Sequence, residues 1–352
     1  DSRPTQSRPT QSGPTQSGPT QGPVYFTAHL DHPAFVVERL LGPATAQLAF
    51  RGGVMDDYFK DARVVLHTRD NRRYPATLTG RAQLGCAVFK SYVADLDADA
   101  AEDLRPGDIA TWELPPARIK DGLIHTHACD DLAALAAAIA AFDTLREARQ
   151  AGEQVGDVRL LFTRAEEVGF VGALAACRDK SIPQGSRILA LENSRSFDDS
   201  PLGGGPIVRV GDRLSIFSPA LTAAVAARAE EVAGSPAQPM ATQKQADLSP
   251  WRWQRKLMAG GACEATVFCA YGYEATCVCL PLGNYHNMAD LAAVQAGTFQ
   301  GQPRVAPEFV SLADFRGLVD LLVACGLHLP AAPDTRAKVD KLWDERRFVI
   351  GA

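Results

Sequence analysis

The stretch Thr-Arg-Ala-Glu-Glu-Val-Gly-Phe-Val-Gly-Ala, residues 163–173, decides how the rest of the chain is interpreted. It follows the apolar run 157–162, which predicts a buried strand, and it precedes a short apolar helix through Cys177. The adjacent carboxylates Glu166 and Glu167 repel each other at the end of a strand, so such a pair is stabilised when a cation neutralises one and a proton is held near the other. A metal site with a built-in base meets both conditions. A solvated charge pair in a turn is the alternative.

The composition of the whole chain excludes several classes of protein. Its 352 residues, 46% of them hydrophobic, can form one large core or a core with a smaller domain. The net charge of -5 provides no basic field for nucleic acid or an anionic membrane. No apolar run in the sequence is long enough to span a membrane, and we expect no signal peptide. We therefore expect a cytoplasmic enzyme without a nucleic-acid or membrane partner.

The eight cysteines mostly lie in apolar strand or helix patterns. This placement favours buried free thiols in a reducing compartment over a disulfide framework. Cys277 and Cys279 share one face of a predicted strand, and no Cys-x-x-Cys or His partner stands at zinc-finger spacing. We interpret the pair as core packing.

Changes in residue composition and hydrophobic pattern divide the chain into four parts. Residues 1–22 repeat the units Ser-Arg-Pro-Thr-Gln and Ser-Gly-Pro-Thr-Gln, which predicts a disordered low-complexity tail. Residues 38–115 contain short alternating segments separated by Gly, Asp and Asn, which predicts a small all-β, barrel-like module. Because segments with candidate site residues lie on both sides, the module is predicted to be inserted into one larger domain of residues 23–37 and 116–330. Residues 331–352 are assigned to a C-terminal tail or helix.

Local patterns within the larger domain predict particular elements. Asp131 is predicted to be the N-cap of an Ala-rich helix from Leu132 to Ala151, which Gly152 would end. Ser218 is predicted to cap the next long helix. The polar segment 234–258 is predicted to be a surface loop.

Six polar side chains stand where predicted strands or their connections end: His29, Asp130, Glu166, Glu167, Glu192 and His286. Open α/β sheets build their sites at the carboxyl ends of strands, so these side chains are expected to meet. Asp31 lies on the same side of the chain as His29 and could hold the imidazole of a metal ligand; its spacing does not suit His32. His125 and His127 share one face and are either ligands or packing and outer contacts.

The residue types in this set suit a pair of divalent ions. Imidazoles and carboxylates are ligands for Zn²⁺, Co²⁺ or Mn²⁺. In a site with two metals ~3.5–4 Å apart, one carboxylate must bridge. Each metal then keeps one His and one carboxylate of its own, and Glu166 remains unligated beside the attacking water.

An ordered series of motifs runs through residues 24–326: Ala28-His29-Leu30-Asp31, Gly107-Asp108-Ile109-Ala110, Cys129-Asp130-Asp131, Glu166-Glu167-Val168-Gly169, Gly172-Ala173, Leu191-Glu192-Asn193, Gly205-Pro206-Ile207, Gln254, Gly260-Gly261, Leu280-Pro281 and Tyr285-His286. The series resembles the two-metal metallo-aminopeptidases that include glutamyl aminopeptidase, deblocking aminopeptidase and the tetrahedral aminopeptidases. The resemblance implies an α/β fold, namely a zinc-exopeptidase-like mixed β-sheet sandwiched by helices with the small all-β domain inserted.

The same resemblance implies roles for the site residues. His29 and Glu192 would bind one metal, Glu167 and His286 would bind the other, and Asp130, followed by a cis peptide bond, would bridge them. Asp31 would orient His29. Glu166 would be the general base.

The resemblance also implies cofactors, substrate and assembly. Two divalent ions per chain are expected, Zn²⁺ first, with Co²⁺ or Mn²⁺ as the other options. The substrate would be a peptide that loses its N-terminal residue, its free amine held by a metal or by Glu264, and the chain would form a homo-oligomer.

The chain departs from the family pattern at several positions. Glu192 stands where Asp is usual, and Leu132, Cys263-Glu264 and Gly283-Asn284 replace other family residues. Most of these departures cluster on the substrate side, so specificity is affected more than hydrolysis. A related carboxypeptidase or amide deacylase on the same site is the first alternative, and a non-catalytic scaffold that retains the fold is the second.

Overall fold

The computed structural model describes residues 22–85, 88–100, 102–237, 251–331 and 333–351. The low-complexity tail predicted at 1–22 lies outside these ranges except for Gly22, and so does Cys86. No helix within the described ranges is both long and apolar enough to cross a membrane.

The strands, in chain order, are β1 (Val24–His29), β2 (Ala34–Gly42), β3 (Thr45–Arg51), β4 (Arg63–His67), β5 (Arg73–Arg81), β6 (Ser91–Leu96), β7 (Ile109–Trp112), β8 (Arg118–Lys120), β9 (Leu123–Thr126), β10 (Val158–Thr163), β11 (Arg187–Arg195), β12 (Ile207–Asp212), β13 (Gln254–Met258), β14 (Glu274–Gly283) and β15 (Glu308–Ser311). The α-helices are α1 (Cys129–Gln150), α2 (Val171–Arg178), α3 (Pro219–Ala233), α4 (Glu264–Ala270), α5 (Leu291–Gln295), α6 (Leu312–Leu327) and α7 (Thr335–Arg346). Short 3₁₀ turns lie at Asp56–Phe59, Tyr285–Asn287 and Arg347–Ile350.

The larger domain is built on a mixed sheet. Strands β10, β1, β11 and β14 lie side by side and are parallel, so their carboxyl ends share one edge. Both β12 and β15 pair with β14 in the antiparallel direction; β13 continues the sheet beyond β12, and β9 and β8 continue it beyond β15. The parallel strands therefore bring segments from distant parts of the sequence to the same edge.

Helices cover both faces of this sheet because side chains alternate along each strand. Phe26 and Leu189 point to the face packed against α1, α3 and α6. Tyr25 and Ile188, each one residue earlier, point to the face packed against α2 and α4. The predicted α/β class, a mixed sheet between helices, is confirmed.

Strands β2 to β7 form a separate closed barrel in the order β2-β3-β6-β5-β4-β7. Closure removes the free edges that short antiparallel strands would otherwise present. Phe35, Phe59 and Trp112 form part of an aromatic core with ring centroids 4.9–6.1 Å apart. Met288 and Leu291 from the larger domain also join this core. The small all-β module expected from the sequence is therefore present and packs against the larger domain.

Two local predictions were wrong and one cap is confirmed. Asp131 does not cap α1, because its carboxylate accepts hydrogen bonds from His29 N and Asn193 Nδ2. The predicted loop 234–258 includes strand β13, and its residues 238–250 lie outside the described ranges. Ser218 does cap α3, since its hydroxyl accepts from Leu221 N.

Candidate metal centre

Five predicted ligands converge at the carboxyl edge of the parallel strands. His29 ends β1, Glu167 follows β10, Glu192 lies in β11, and His286 follows β14. Asp130 lies in the first turn of α1, where its non-helical backbone (φ -80°, ψ 105°) and the expected cis peptide bond to the next residue are both present. The parallel pairing of the strands is the reason that these positions meet.

The side chains form two trios that share Asp130. His29 Nε2 lies 3.3 Å from Asp130 Oδ1 and 3.8 Å from Glu192 Oε1. His286 Nε2 lies 3.6 Å from Asp130 Oδ2 and 3.3 Å from Glu167 Oε1. The donor atoms within each trio all lie within 4.8 Å of one another. One carboxylate with an oxygen directed to each side is what a bridging ligand requires.

The charges and unpaired atoms of the site fit divalent cations. Within the described ranges, the buried atoms Asp130 Oδ1 and Glu167 Oε1 have no hydrogen-bond partner. Burial and the nearby Asp130 carboxylate raise the pKa of Glu192 to about 7. Burial lowers the pKa of His29, but the adjacent carboxylates of Asp130 and Glu192 outweigh it, so the net pKa lies well above the ordinary value. Unpaired buried carboxylate oxygens beside imidazoles indicate that cations are needed to balance the site.

Glu166 lies beside both trios. It is 8% exposed, and its carboxylate forms a third close group with His29 and Glu167. Burial, reinforced by the charge of Glu192, raises the pKa of Glu166 well above its ordinary value. A carboxylate that is readily protonated and borders a metal position is suited to proton transfer.

The turn that presents Glu166 and Glu167 depends on close backbone packing. Ala165 has a positive φ of 61°, and the backbone of Gly172 approaches Arg164 so closely that a Cβ there would lie 2.5 Å from the Arg164 carbonyl oxygen. Only glycine fits at that approach. The small residues of the stretch therefore have a steric function.

Asp31 contacts the site through both its backbone carbonyl and its side-chain carboxylate. Its backbone carbonyl oxygen lies 2.9 Å from His29 Nδ1, whereas its carboxylate Oδ1 is 3.9 Å from that nitrogen. The carboxylate instead accepts hydrogen bonds from Glu166 N at 3.1 Å and Glu167 N at 3.2 Å. The backbone of Asp31 thus meets the imidazole, and its side chain holds the Glu-Glu turn, a division that the sequence spacing did not indicate.

Two residues to which the sequence assigned no role support the ligand-bearing segments through hydrogen bonds. Glu308, fully buried in β15, accepts hydrogen bonds from Asp130 N at 2.9 Å and His286 N at 2.8 Å. Asn193 donates to Asp131 Oδ1 at 3.0 Å. The available signal for Glu308 was a charged residue directly before an apolar strand segment, and the signal for Asn193 was only its place beside Glu192.

The barrel contributes directly to the site. His286 Nδ1 lies 2.6 Å from the carbonyl oxygen of Gly53, which follows β3. This contact favours the tautomer in which Nδ1 donates and Nε2 remains free for a metal. His32 also supports the ligands, since its ring nitrogens lie 2.7 Å from Asp130 O and 2.9 Å from Asn287 Oδ1.

His125, His127 and Glu264 do not belong to the two trios. The ring of His125 packs 5.3 Å from that of Phe309. Burial, with a further contribution from His32, lowers the pKa of His127 to about 4. Burial raises the pKa of Glu264 to about 7, and within the described ranges its buried Oε1 has no hydrogen-bond partner.

A cavity of about 550 Å³ opens on the ligands and extends to a basic end. Its cationic lining residues are Arg195, Arg209 and Lys256. Lys256 pairs with Asp199, whereas Arg209, only 2% exposed, donates to Ser194 Oγ at 3.3 Å and has an unpartnered Nε. Among the described residues, no carboxylate lies within 4.0 Å of Arg209. The cavity therefore holds both carboxylates and a buried cation, and the charges of Arg209 and Glu192 act on each other without a direct ion pair.

Comparisons with known proteins bear on this geometry. Three solved structures are similar in fold: an aminopeptidase, APDkam598, from the archaeon Desulfurococcus kamchatkensis (20% identity, 89% of this chain and 81% of that chain, TM-score 0.65), a TET aminopeptidase from Thaumarchaeota archaeon SCGC AB-539-E09 (18%, 89% and 83%, 0.66), and the Pyrococcus horikoshii TET1 peptidase (20%, 89% and 86%, 0.64). A search of curated proteins gave no match. The family model for M42 glutamyl aminopeptidase matches residues 14–297, which is most of the chain. The chain therefore belongs to the M42 glutamyl aminopeptidase family, whose members are metal-dependent peptide-bond hydrolases.

Proposed function

We propose that this chain is a two-metal aminopeptidase that removes N-terminal residues from peptides. The observation that carries the proposal is the pair of trios sharing Asp130, with Glu166 beside them. His29 and Glu192 would hold one ion and Glu167 and His286 the other. Zn²⁺ is the first candidate for this donor set, with Co²⁺ and Mn²⁺ as the other options.

Glu166 is the proposed general base. Bound divalent ions would supply Lewis acidity to the scissile carbonyl and to the attacking water. The Glu166 carboxylate would take one proton from that water and deliver it to the amine that leaves, so that the side chain ends the cycle as it began. The bonds from Glu166 N and Glu167 N to Asp31 support this role, because they fix the turn that carries the base.

The basic end of the cavity favours an acidic side chain at the cleaved residue. A buried guanidinium gains most from a carboxylate, which can accept two parallel hydrogen bonds. The family's description as glutamyl aminopeptidase agrees with that chemistry. We propose that Arg209 contacts the side chain of the N-terminal residue.

The proposed activity is tested with aminoacyl anilides and N-blocked peptides in the presence of Zn²⁺, Co²⁺ or Mn²⁺. Free-amine substrates are expected to be cleaved and N-blocked ones spared; preferential cleavage of blocked substrates would favour a carboxypeptidase or deacylase.

Glu166→Gln is expected to retain both ions and to lower kcat by at least ~10²-fold. Glu147→Gln, an exposed change on α1, is the matched control. An unchanged rate for Glu166→Gln would remove Glu166 from the mechanism, and well under one ion per wild-type chain without cleavage would favour a scaffold.

We also infer a homo-oligomer in a reducing compartment, consistent with the expected cytoplasm. The Pyrococcus horikoshii TET1 peptidase can assemble into a tetrahedron or a large octahedral shell. In this chain, helix α7 buries none of its residues, and Trp343 and Phe348 are 52% and 73% exposed, which is consistent with a surface that a second copy covers. The inference of a reducing compartment is supported by the cysteines: the seven described ones are free thiols, and six of them are buried. Light scattering of the purified protein tests the assembly, and a monomeric mass at micromolar concentration would contradict it.

A further inference from the structure

Glu308 connects the backbones of two ligands that lie far apart in the sequence. Its Oε2 accepts from Asp130 N, 178 residues away, and its Oε1 accepts from His286 N, 22 residues away. The side chain is fully buried, and its strand β15 pairs with both β9 and β14, the strands that precede these two ligands. Each oxygen of one carboxylate is therefore committed to the main chain of a different ligand.

We propose that Glu308 is a positioning residue for both metal positions, and this proposal rests on the proposed two-metal site. Asp130 belongs to both trios and His286 to one, so the distance between their backbones sets the separation of the trios. The carboxylate of Glu308 bonds to both backbones at once and thereby fixes that distance. Such outer contacts order ligands before the ion arrives, which raises metal affinity.

The chemistry of the contact makes Glu308→Gln the informative change. Both backbone groups are N–H donors, so both side-chain atoms of residue 308 must accept. A glutamine amide accepts only through its oxygen and directs its NH₂ group at the second donor. One ligand backbone therefore loses its partner although side-chain volume is nearly unchanged.

Asp314 provides a matched control. It is also buried, and its two oxygens also accept from two backbone amides, Gly203 N and Gly205 N, each at 2.8 Å. Those glycines hold no predicted ligand. Asp314→Asn therefore removes the same kind of contact and isolates the effect of stability from the effect on metal binding.

The experiment titrates Co²⁺ into the chelator-treated full chain by calorimetry and visible absorption, with circular dichroism to verify folding. Wild type is expected to bind two ions. Glu308→Gln is expected to weaken binding of the ions by about 10- to 100-fold and to change the Co²⁺ spectrum. Asp314→Asn is expected to bind Co²⁺ as wild type does, whatever its loss of thermal stability.

The outcomes separate this proposal from the proposed function. Wild-type affinity and spectrum in Glu308→Gln, or an equal loss of affinity in Asp314→Asn, would overturn the positioning role while leaving the two-metal site intact. A wild-type chain that binds no Co²⁺ would overturn both. If Glu308→Gln does not fold, Glu308→Asp replaces it: this variant keeps both acceptors on a shorter side chain, and wild-type affinity in it would refute the proposal.

Discussion

Replacing Arg209 by methionine should lower the preference for glutamyl over leucyl substrates and leave the free energy of unfolding unchanged or higher. Methionine keeps an unbranched side chain of similar length and removes the guanidinium. The wild-type cation is 2% exposed, donates a hydrogen bond to Ser194 and interacts with the charge of Glu192 without a direct ion pair. A direct ion pair with Arg209 would form when a carboxylate of the substrate enters the cavity.

The magnitude for selectivity follows from losing a buried charge pair. Truncating one partner of such a pair costs about 2–5 kcal/mol, which corresponds to roughly 30-fold to several thousand-fold in kcat/KM for a glutamyl substrate. A leucyl substrate has no carboxylate side chain for Arg209, so its kcat/KM should change little. The ratio of glutamyl to leucyl anilide hydrolysis should therefore fall by the same factor in Arg209→Met.

The effect on stability should have the opposite sign. Methionine removes the desolvation cost of the buried Arg209 charge, which is only partly offset in the wild type by the charge of Glu192. The free energy of unfolding from urea denaturation should therefore be unchanged or higher in Arg209→Met. Lys256→Met, in the same cavity, is the control, because Lys256 already pairs with Asp199 and should affect selectivity less. An unchanged glutamyl-to-leucyl ratio in Arg209→Met would contradict the proposed contact with the substrate carboxylate, and a strongly destabilised protein would contradict the expected effect on folding.

Three further predictions concern the metal ligands and the turn that carries the base. A metal present at about 1,000 times its Kd adds ~4.1 kcal/mol, which for a chain of this length corresponds to a drop in Tm of roughly 6 °C on chelation; a calorimetric scan that EDTA does not shift would contradict a bound ion. Asp130→Ala should lose both ions together by elemental analysis, and one ion retained at full occupancy would argue against a bridge. Gly172→Ala places a Cβ 2.5 Å from Arg164 O and should destabilise the fold by about 1–3 kcal/mol in urea. Gly42→Ala, which meets nothing within 4 Å, should be nearly neutral, and equal midpoints for the two variants would count against the steric account.

Some features of the chain follow from local sequence. Alternating and continuous apolar runs predict the strands, and acidic or imidazole residues at their ends predict an edge site, because both depend on patterns a few residues long. The cap at Ser218 follows from neighbours within one turn. The prediction that Asp131 caps the helix was wrong because its carboxylate accepts a hydrogen bond from His29 N, 102 residues earlier. A tertiary contact overrides the local capping preference there.

Local sequence was sufficient to indicate the α/β class, the small all-β module and which ionisable side chains stand at strand ends. Which atoms support these side chains depends on contacts between distant segments: the Glu308 carboxylate that bonds to Asp130 N and His286 N, the Gly53 carbonyl on the His286 ring, and the burial of Arg209 in the cavity. A backbone carbonyl carries no side-chain signal, and Gly53 contacts a residue 233 positions away. Such contacts arise from strand pairing and domain packing, which bring together groups that no local pattern relates.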